Sequence, residues 1–175
     1  MPLDETETTT SDAKENGLSK DTNYFLRWSQ GSQHEYTPEG QEDLSCWADM
    51  LTLNYHPQVQ DGEGLAMWAN QVLGYYQENH ASVIRTDSVP ATETTPAEHL
   101  AVVAFRTPEF VEVVMTRFKL LDSKGAAVTY SRRTYGDTAV DQAMEWLQDN
   151  GASMEGVLMR LEVPAEAVDA LALTA

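Results

Sequence analysis

The sequence predicts an α+β domain, a mainly antiparallel sheet of about five to six strands with two to three helices packed on it, an α/β/α sandwich being one form this can take. Three observations lead there. Strand patterns follow one another from His99 to Tyr135 with only short turns between them, which makes antiparallel neighbours. Two stretches, Leu65 to Tyr76 and Val140 to Leu147, place apolar residues at the spacing of a helix that buries one face. The chain has 175 residues, 42% of them apolar, enough for a single core that removes about 70% of the unfolded surface from water.

Residues 1–22, MPLDETETTTSDAKENGLSKDT, hold no aromatic and only Met1, Leu3, Ala13 and Leu18 as apolar side chains. They are expected to be a disordered, acidic, Thr-rich arm, since little burial offsets about 1–2 kcal/mol of backbone entropy per ordered residue. One α+β domain is expected over 23–163. Order begins at the apolar group Tyr24, Phe25, Leu26 and Trp28, and the polar run Gly31 to Asp43 reads as a connection with a turn at Thr37-Pro38-Glu39-Gly40. From Asp49 to Tyr55 alternate residues change character, with Leu51, Leu53 and Tyr55 on one face, the pattern of a half-buried strand.

Asp61 is placed to cap the first helix, which runs toward Asn79. Ser82 to Asp87 is a short strand, and the following VPATETTPAE, with Pro90 and Pro96, is a long loop. HLAVVAF from His99 is a buried strand. Phe110 to Leu121 then meets Ala126 to Tyr135 across Asp122-Ser123-Lys124-Gly125, read as a type I turn. That loop length sets Arg117 opposite Tyr130, Met115 opposite Arg132, Phe118 opposite Thr129 and Val114 opposite Arg133. Gly136-Asp137-Thr138 caps a second helix that Gly151 is expected to stop, Ser153 opens a short third helix, and residues 164–175 form an Ala-rich helical tail.

This order, an early strand and long helix, a strand meander and a last helix across the sheet, resembles the α/β/α sandwich of the PsbP and Mog1-like proteins over Trp47 to Leu161. The likeness lies in the order of elements and carries no motif residue. The resemblance implies an accessory or binding protein rather than an enzyme, and transfers no site.

Charge and motif content narrow the function. Eleven Lys and Arg against 28 Asp and Glu give a net charge of -17, a field that repels nucleic-acid phosphates and anionic lipid headgroups. No window nears the ~20 apolar residues of a membrane span. The lone Cys46 cannot close an intramolecular disulfide, and with four histidines it makes no familiar zinc set, so no metal or cofactor is expected. The chain carries no G-x-S-x-G, Walker A, G-x-G-x-x-G, H-E-x-x-H or C-x-x-C pattern, and no catalytic residue is assigned. A start at Met1 points to the cytoplasm if it is the native start; export behind a leader absent from this sequence is the alternative.

One segment departs from the acidity. Arg106, Arg117, Lys119, Lys124, Arg132 and Arg133 fall within 28 positions that hold only Glu109, Glu112 and Asp122 as acids. Guanidinium forks beside Tyr130 suit a carboxylate or phosphate on a small amphipathic ligand, or an acidic segment of a protein partner. Arg106, Arg117, Lys119, Tyr130, Arg132 and Arg133 are therefore the expected binding residues of a non-catalytic accessory domain. Pairing of these arginines with the protein's own carboxylates is the opposing expectation. Aromatic side chains such as Tyr75 and a half-covered Trp146 could border a groove between sheet and helix. Two other readings stand beside it: a small hydrolase or transferase built from Cys46, Asp49, His34, His56, His80 and His99, and an acidic inhibitor or immunity-type protein that binds a basic partner.

Overall fold

A computed structural model describes residues 21–174. The arm expected at 1–22 lies outside them except for Asp21 and Thr22, which already belong to a strand. In chain order the elements are β1 Asp21–Gln30, β2 Gln33–Pro38, β3 Asp49–His56, α1 Gly62–Glu78, β4 Ser82–Val89, β5 Glu98–Arg106, β6 Phe110–Leu121, β7 Lys124–Tyr135, α2 Ala139–Arg160 and β8 Ala170–Thr174. All eight strands form one sheet in the order β4-β5-β6-β7-β3-β2-β1-β8, with every neighbouring pair antiparallel.

Strand parity decides which side chains each helix meets. Val113, Met115, Val128, Tyr130, Leu51 and Leu53 point to the face covered by α2, where Met154, Val157 and Leu158 complete the main core. Phe118 and Ala127 point the other way, into a smaller core with Val59 and Leu65, closed by Trp68 of α1. A helix on each face makes this an α/β/α sandwich.

The sheet has eight strands where five to six were expected. β2 was hidden because QHEYTP lacks apolar alternation: only Tyr36 and Thr37 are fully enclosed, and the strand is held through its backbone by β1 and β3. The polar connection expected from Gly31 therefore contains a hairpin, turning at Gly31 and Ser32 with Gly31 at φ 58°. The C-terminal end is likewise a strand, where a helical tail was expected. β8 pairs with β1 and buries alternate Leu171 and Leu173, so edge pairing overrides the helix preference of alanine.

Two glycines explain two further differences. Gly151 was expected to stop a helix, yet it is buried within the 22-residue α2, which runs on without a third helix. The apolar stripe Ala143, Trp146, Met154, Val157 and Leu158 stays in phase across it, so the packed face carries the helix through. The β6–β7 turn is two residues, Asp122 at φ 48° and Ser123 at φ 63°, both left-handed as a type I′ turn requires. Lys124 and Gly125 thereby enter β7, and Gly125 lies so close to Val59 that a Cβ there would sit 2.8 Å from the Val59 Cβ. The register consequently differs by two residues: Arg117 faces Val128, Met115 faces Tyr130, Phe118 faces Ala127 and Val114 faces Ser131. A two-residue slip preserves the face of every side chain.

The first helix follows its sequence reading. Asp61 Oδ1 accepts from the Gly64 amide at 2.8 Å, and Asn79 ends the helix.

Candidate functional site

The basic segment does not gather at one accessible spot. Arg117, on the α2 face of β6, is only 4% exposed. Its Nε and Nη2 donate to the two carboxylate oxygens of Glu98 at 2.9 Å, and Nη1 donates to the carbonyls of Leu158 at 3.1 Å and Leu161 at 2.8 Å. It thus ties the end of α2 to β5 and β6. Lys119 lies 3.6 Å from the same Glu98.

Arg132 and Tyr130 share a second cluster on the same face. Tyr130 Oη donates to Asp49 Oδ1 at 2.5 Å, and Arg132 Nη1 donates to that oxygen at 2.9 Å. Tyr130 stacks on Trp146 at 5.8 Å between ring centroids, and the Arg132 guanidinium lies over the same indole. Trp146 is buried at 8% exposure, with Tyr130 and Arg132 both against it, where half cover was expected. Burial, then the neighbouring Asp49 carboxylate, holds the Tyr130 phenol well above its ordinary range.

Arg133 is one residue further along β7 and points to the opposite face. There it is clamped between Trp47 at 4.3 Å and Phe110 at 3.9 Å, with Nε donating to Glu112 at 3.2 Å. Lys124 donates to the Ala165 carbonyl and covers the Tyr55 ring. Arg117, Lys119, Arg132 and Arg133 are thus engaged by the chain's own carboxylates, the opposing expectation named above. Arg106, at the end of β5, is exposed and has no ion-pair partner among the described residues.

Arg106 stands at the mouth of a cleft of about 360 Å³ between the β4–β6 edge of the sheet and the first half of α2. Ile84, Val113, Val140, Met144 and Leu147 supply most of an apolar lining, with His80 and Ser82 at the rim. Ile84 is 47% exposed and Met144 56%, so a large apolar surface faces solvent beside one cation. The groove between sheet and helix is where aromatics were expected, but its walls are mostly aliphatic. Tyr75 stands exposed on α1, outside it. The signal in the sequence was Met144, an apolar residue at the margin of the α2 stripe, together with the Val83-Ile84 pair of an edge strand; neither shows the cleft until β4 is placed against α2.

The dispersed chemistry stays dispersed. His34 bonds Ser29, His56 bonds Gln58, His99 bonds Ser88, and Cys46 is exposed; no hydrogen bond among the described residues joins two histidines or a histidine to Cys46. No group of three His, Cys, Asp or Glu side chains among the described residues is arranged to hold a metal ion.

Neither a family model nor a curated protein matches the sequence. Among solved structures the chain is similar to a point mutant of the protein Mog1, with a TM-score of 0.43 and 10% identity over 68% of this chain and 70% of that one. It is also similar to the Saccharomyces cerevisiae Ran-binding protein Mog1p, with 0.41 and 9% over 74% and 70%. Human STARD10 gives 0.33 and 7% over 75% and 71%. Mog1 is thus among the chain's structural neighbours, in keeping with the order of elements. At these TM-scores the likeness carries no argument for function, which rests on the chain's own geometry.

Proposed function

We propose that this chain is a non-catalytic binding domain that takes an amphipathic anion, an apolar tail with a carboxylate head, into the cleft between β4–β6 and α2. The observation that carries it is the pairing of an aliphatic cleft with Arg106, the exposed arginine of the basic segment, at its mouth. The tail gains roughly 25 cal/mol per Å² of apolar area removed from water. The head meets a guanidinium that need not first leave a carboxylate of the protein. The volume lies near the lower end of the ~300–1,000 Å³ usual for ligand sites, which suits a small molecule. His80 and Ser82 at the rim share no hydrogen bond among the described residues, so no nucleophile and base pair accompanies the cleft.

Calorimetric titration with decanoate, and with decanol as the uncharged control, tests the proposal. Decanoate is expected to bind more tightly, and Arg106→Gln to weaken it by about tenfold or more while leaving decanol unchanged, since a charge-assisted hydrogen bond contributes about 1.5–3 kcal/mol. Equal affinity for both compounds, or no binding of either, overturns it.

A further inference from the structure

β4 is one edge of the sheet, paired with β5 on one flank and with no strand of the described residues on the other. Its outer flank therefore carries a row of backbone N–H and C=O groups without ladder partners, a template for a further strand. All eight of its residues are exposed, Val83, Ile84 and Val89 among them. Edges are commonly blunted by lysine, proline or a bulge. This strand holds neither residue, and its bulge falls at Ile84, before Arg85. From Arg85 to Val89 it pairs residue for residue with Val102 to Glu98, a regular and accessible run. The charges on it are Arg85 and Asp87, two positions apart on one face, each about half exposed and bonded to each other at 2.7 Å.

We infer that this edge pairs with the same edge of a second copy of the chain, antiparallel about a two-fold axis at Thr86, joining two sheets into one. A two-fold relation between antiparallel strands sets one residue opposite its own copy and thereby fixes every other pair. Centring on Arg85 or on Asp87 brings like charges face to face, which is destabilising. Centring on Thr86 sets Arg85 opposite Asp87 of the second copy and Asp87 opposite its Arg85, two complementary pairs on one face, while the two Thr86 side chains meet on the other. The charges that discourage other strands thus select this register. Arg85 also lies 3.5 Å from Glu155 of α2, and its five donors suffice for these neighbours and a carboxylate of the second copy. The net charge of -17 opposes association, but that repulsion is screened beyond about 8 Å at physiological salt. The contact is the same patch on both copies, so assembly closes at two chains. It uses the outer backbone flank of β4 and does not depend on the Arg106 cleft.

Sedimentation velocity of the full chain from about 5 to about 500 µM, in about 0.15 M salt, tests this. The mass is expected to rise with concentration from one chain toward two and no further, because a strand-to-strand contact lies at the small end of specific interfaces and dissociates on dilution. Arg85→Asp and Asp87→Arg should each weaken self-association by about tenfold or more, since each turns both cross-strand pairs into like charges. Both side chains are about half exposed, so both variants keep the fold. An equimolar mixture of the two variants should regain dimers containing one chain of each, because opposite charges again face each other across Thr86. A parent protein that stays monomeric throughout, growth past two chains, single variants that associate as the parent does, or a mixture that stays monomeric overturns the inference.

Discussion

Replacing Arg117 with alanine removes a side chain that makes four hydrogen bonds while 4% exposed. Two consequences add. Glu98 loses its bidentate partner and keeps only Lys119 at 3.6 Å. At the end of α2 the Leu161 carbonyl loses its Arg117 donor, and the Leu158 carbonyl keeps only the Leu161 amide at 3.3 Å. Breaking a buried pair from one side costs about 3–5 kcal/mol, against about 0–1 kcal/mol for a surface pair. We take the lower end, about 3 kcal/mol, because Lys119 remains and Glu98 is reached by water. With a urea slope of about 1–3 kcal/mol per M, the unfolding midpoint should fall by roughly 1–3 M at unchanged slope. Arg117→Lys should recover less than half of the loss, since an ammonium restores the charge but not the fork. The double variant Arg117→Leu with Glu98→Leu should remain less stable than the parent, because the Leu161 carbonyl still lacks the donor that Arg117 supplied. A loss below about 1 kcal/mol for Arg117→Ala would refute the assignment of Arg117 as an internal strut and make it a surface cation.

Other outcomes follow from the same coordinates. Gly151→Ala should stabilise the protein by about 0.5–1 kcal/mol in thermal unfolding, because the residue is helical and its new Cβ would meet only Leu147 Cδ2 at an ordinary 3.5 Å; destabilisation would mean the helix breaks there. Gly125→Ala, with Val59 at 2.8 Å, should lose about 1–3 kcal/mol in the same assay, and a neutral result would displace the β7 register. Tyr24, Tyr36, Tyr55, Tyr76 and Tyr130 all have phenols raised above their ordinary range, burial first, Tyr55 to about 12. The folded state therefore holds protons that the unfolded chain releases near pH 10, so stability is full below about pH 10 and falls as pH rises toward 12. Ionisation of these five phenols should accompany loss of near-ultraviolet dichroism, and ionisation of all seven tyrosines with the fold intact would contradict it.

Much of the fold was legible because its signals are local. The Asp61 cap, the α1 stripe and the alternation of β3 and β6 each depend on neighbours within a turn or a pleat. The faces of β6 and β7 were also fixed by alternation, and they survived the two-residue change of register. β2 and β8 were not legible because they are held by backbone pairing to strands elsewhere in the chain, which leaves little trace in side-chain pattern. Gly151 misled for a similar reason: a glycine signals a stop only where no packed face extends past it.

The sequence by itself determined that cations concentrate between Arg106 and Arg133 in an acidic chain, and that alternation separates Arg132 from Arg133. Only the tertiary structure decided what those cations do. Glu98 reaches Arg117 across 19 positions, Asp49 reaches Arg132 across 83, and the Leu161 carbonyl reaches Arg117 across 44, while Arg106 alone of the proposed set is left exposed without an ion pair among the described residues. A charge's role depends on which opposite charge lies within a few ångströms, and the energy of that encounter varies with burial by several-fold. Neither distance nor burial is written in the spacing of residues along a chain; both come from how the sheet is paired and which helix covers it.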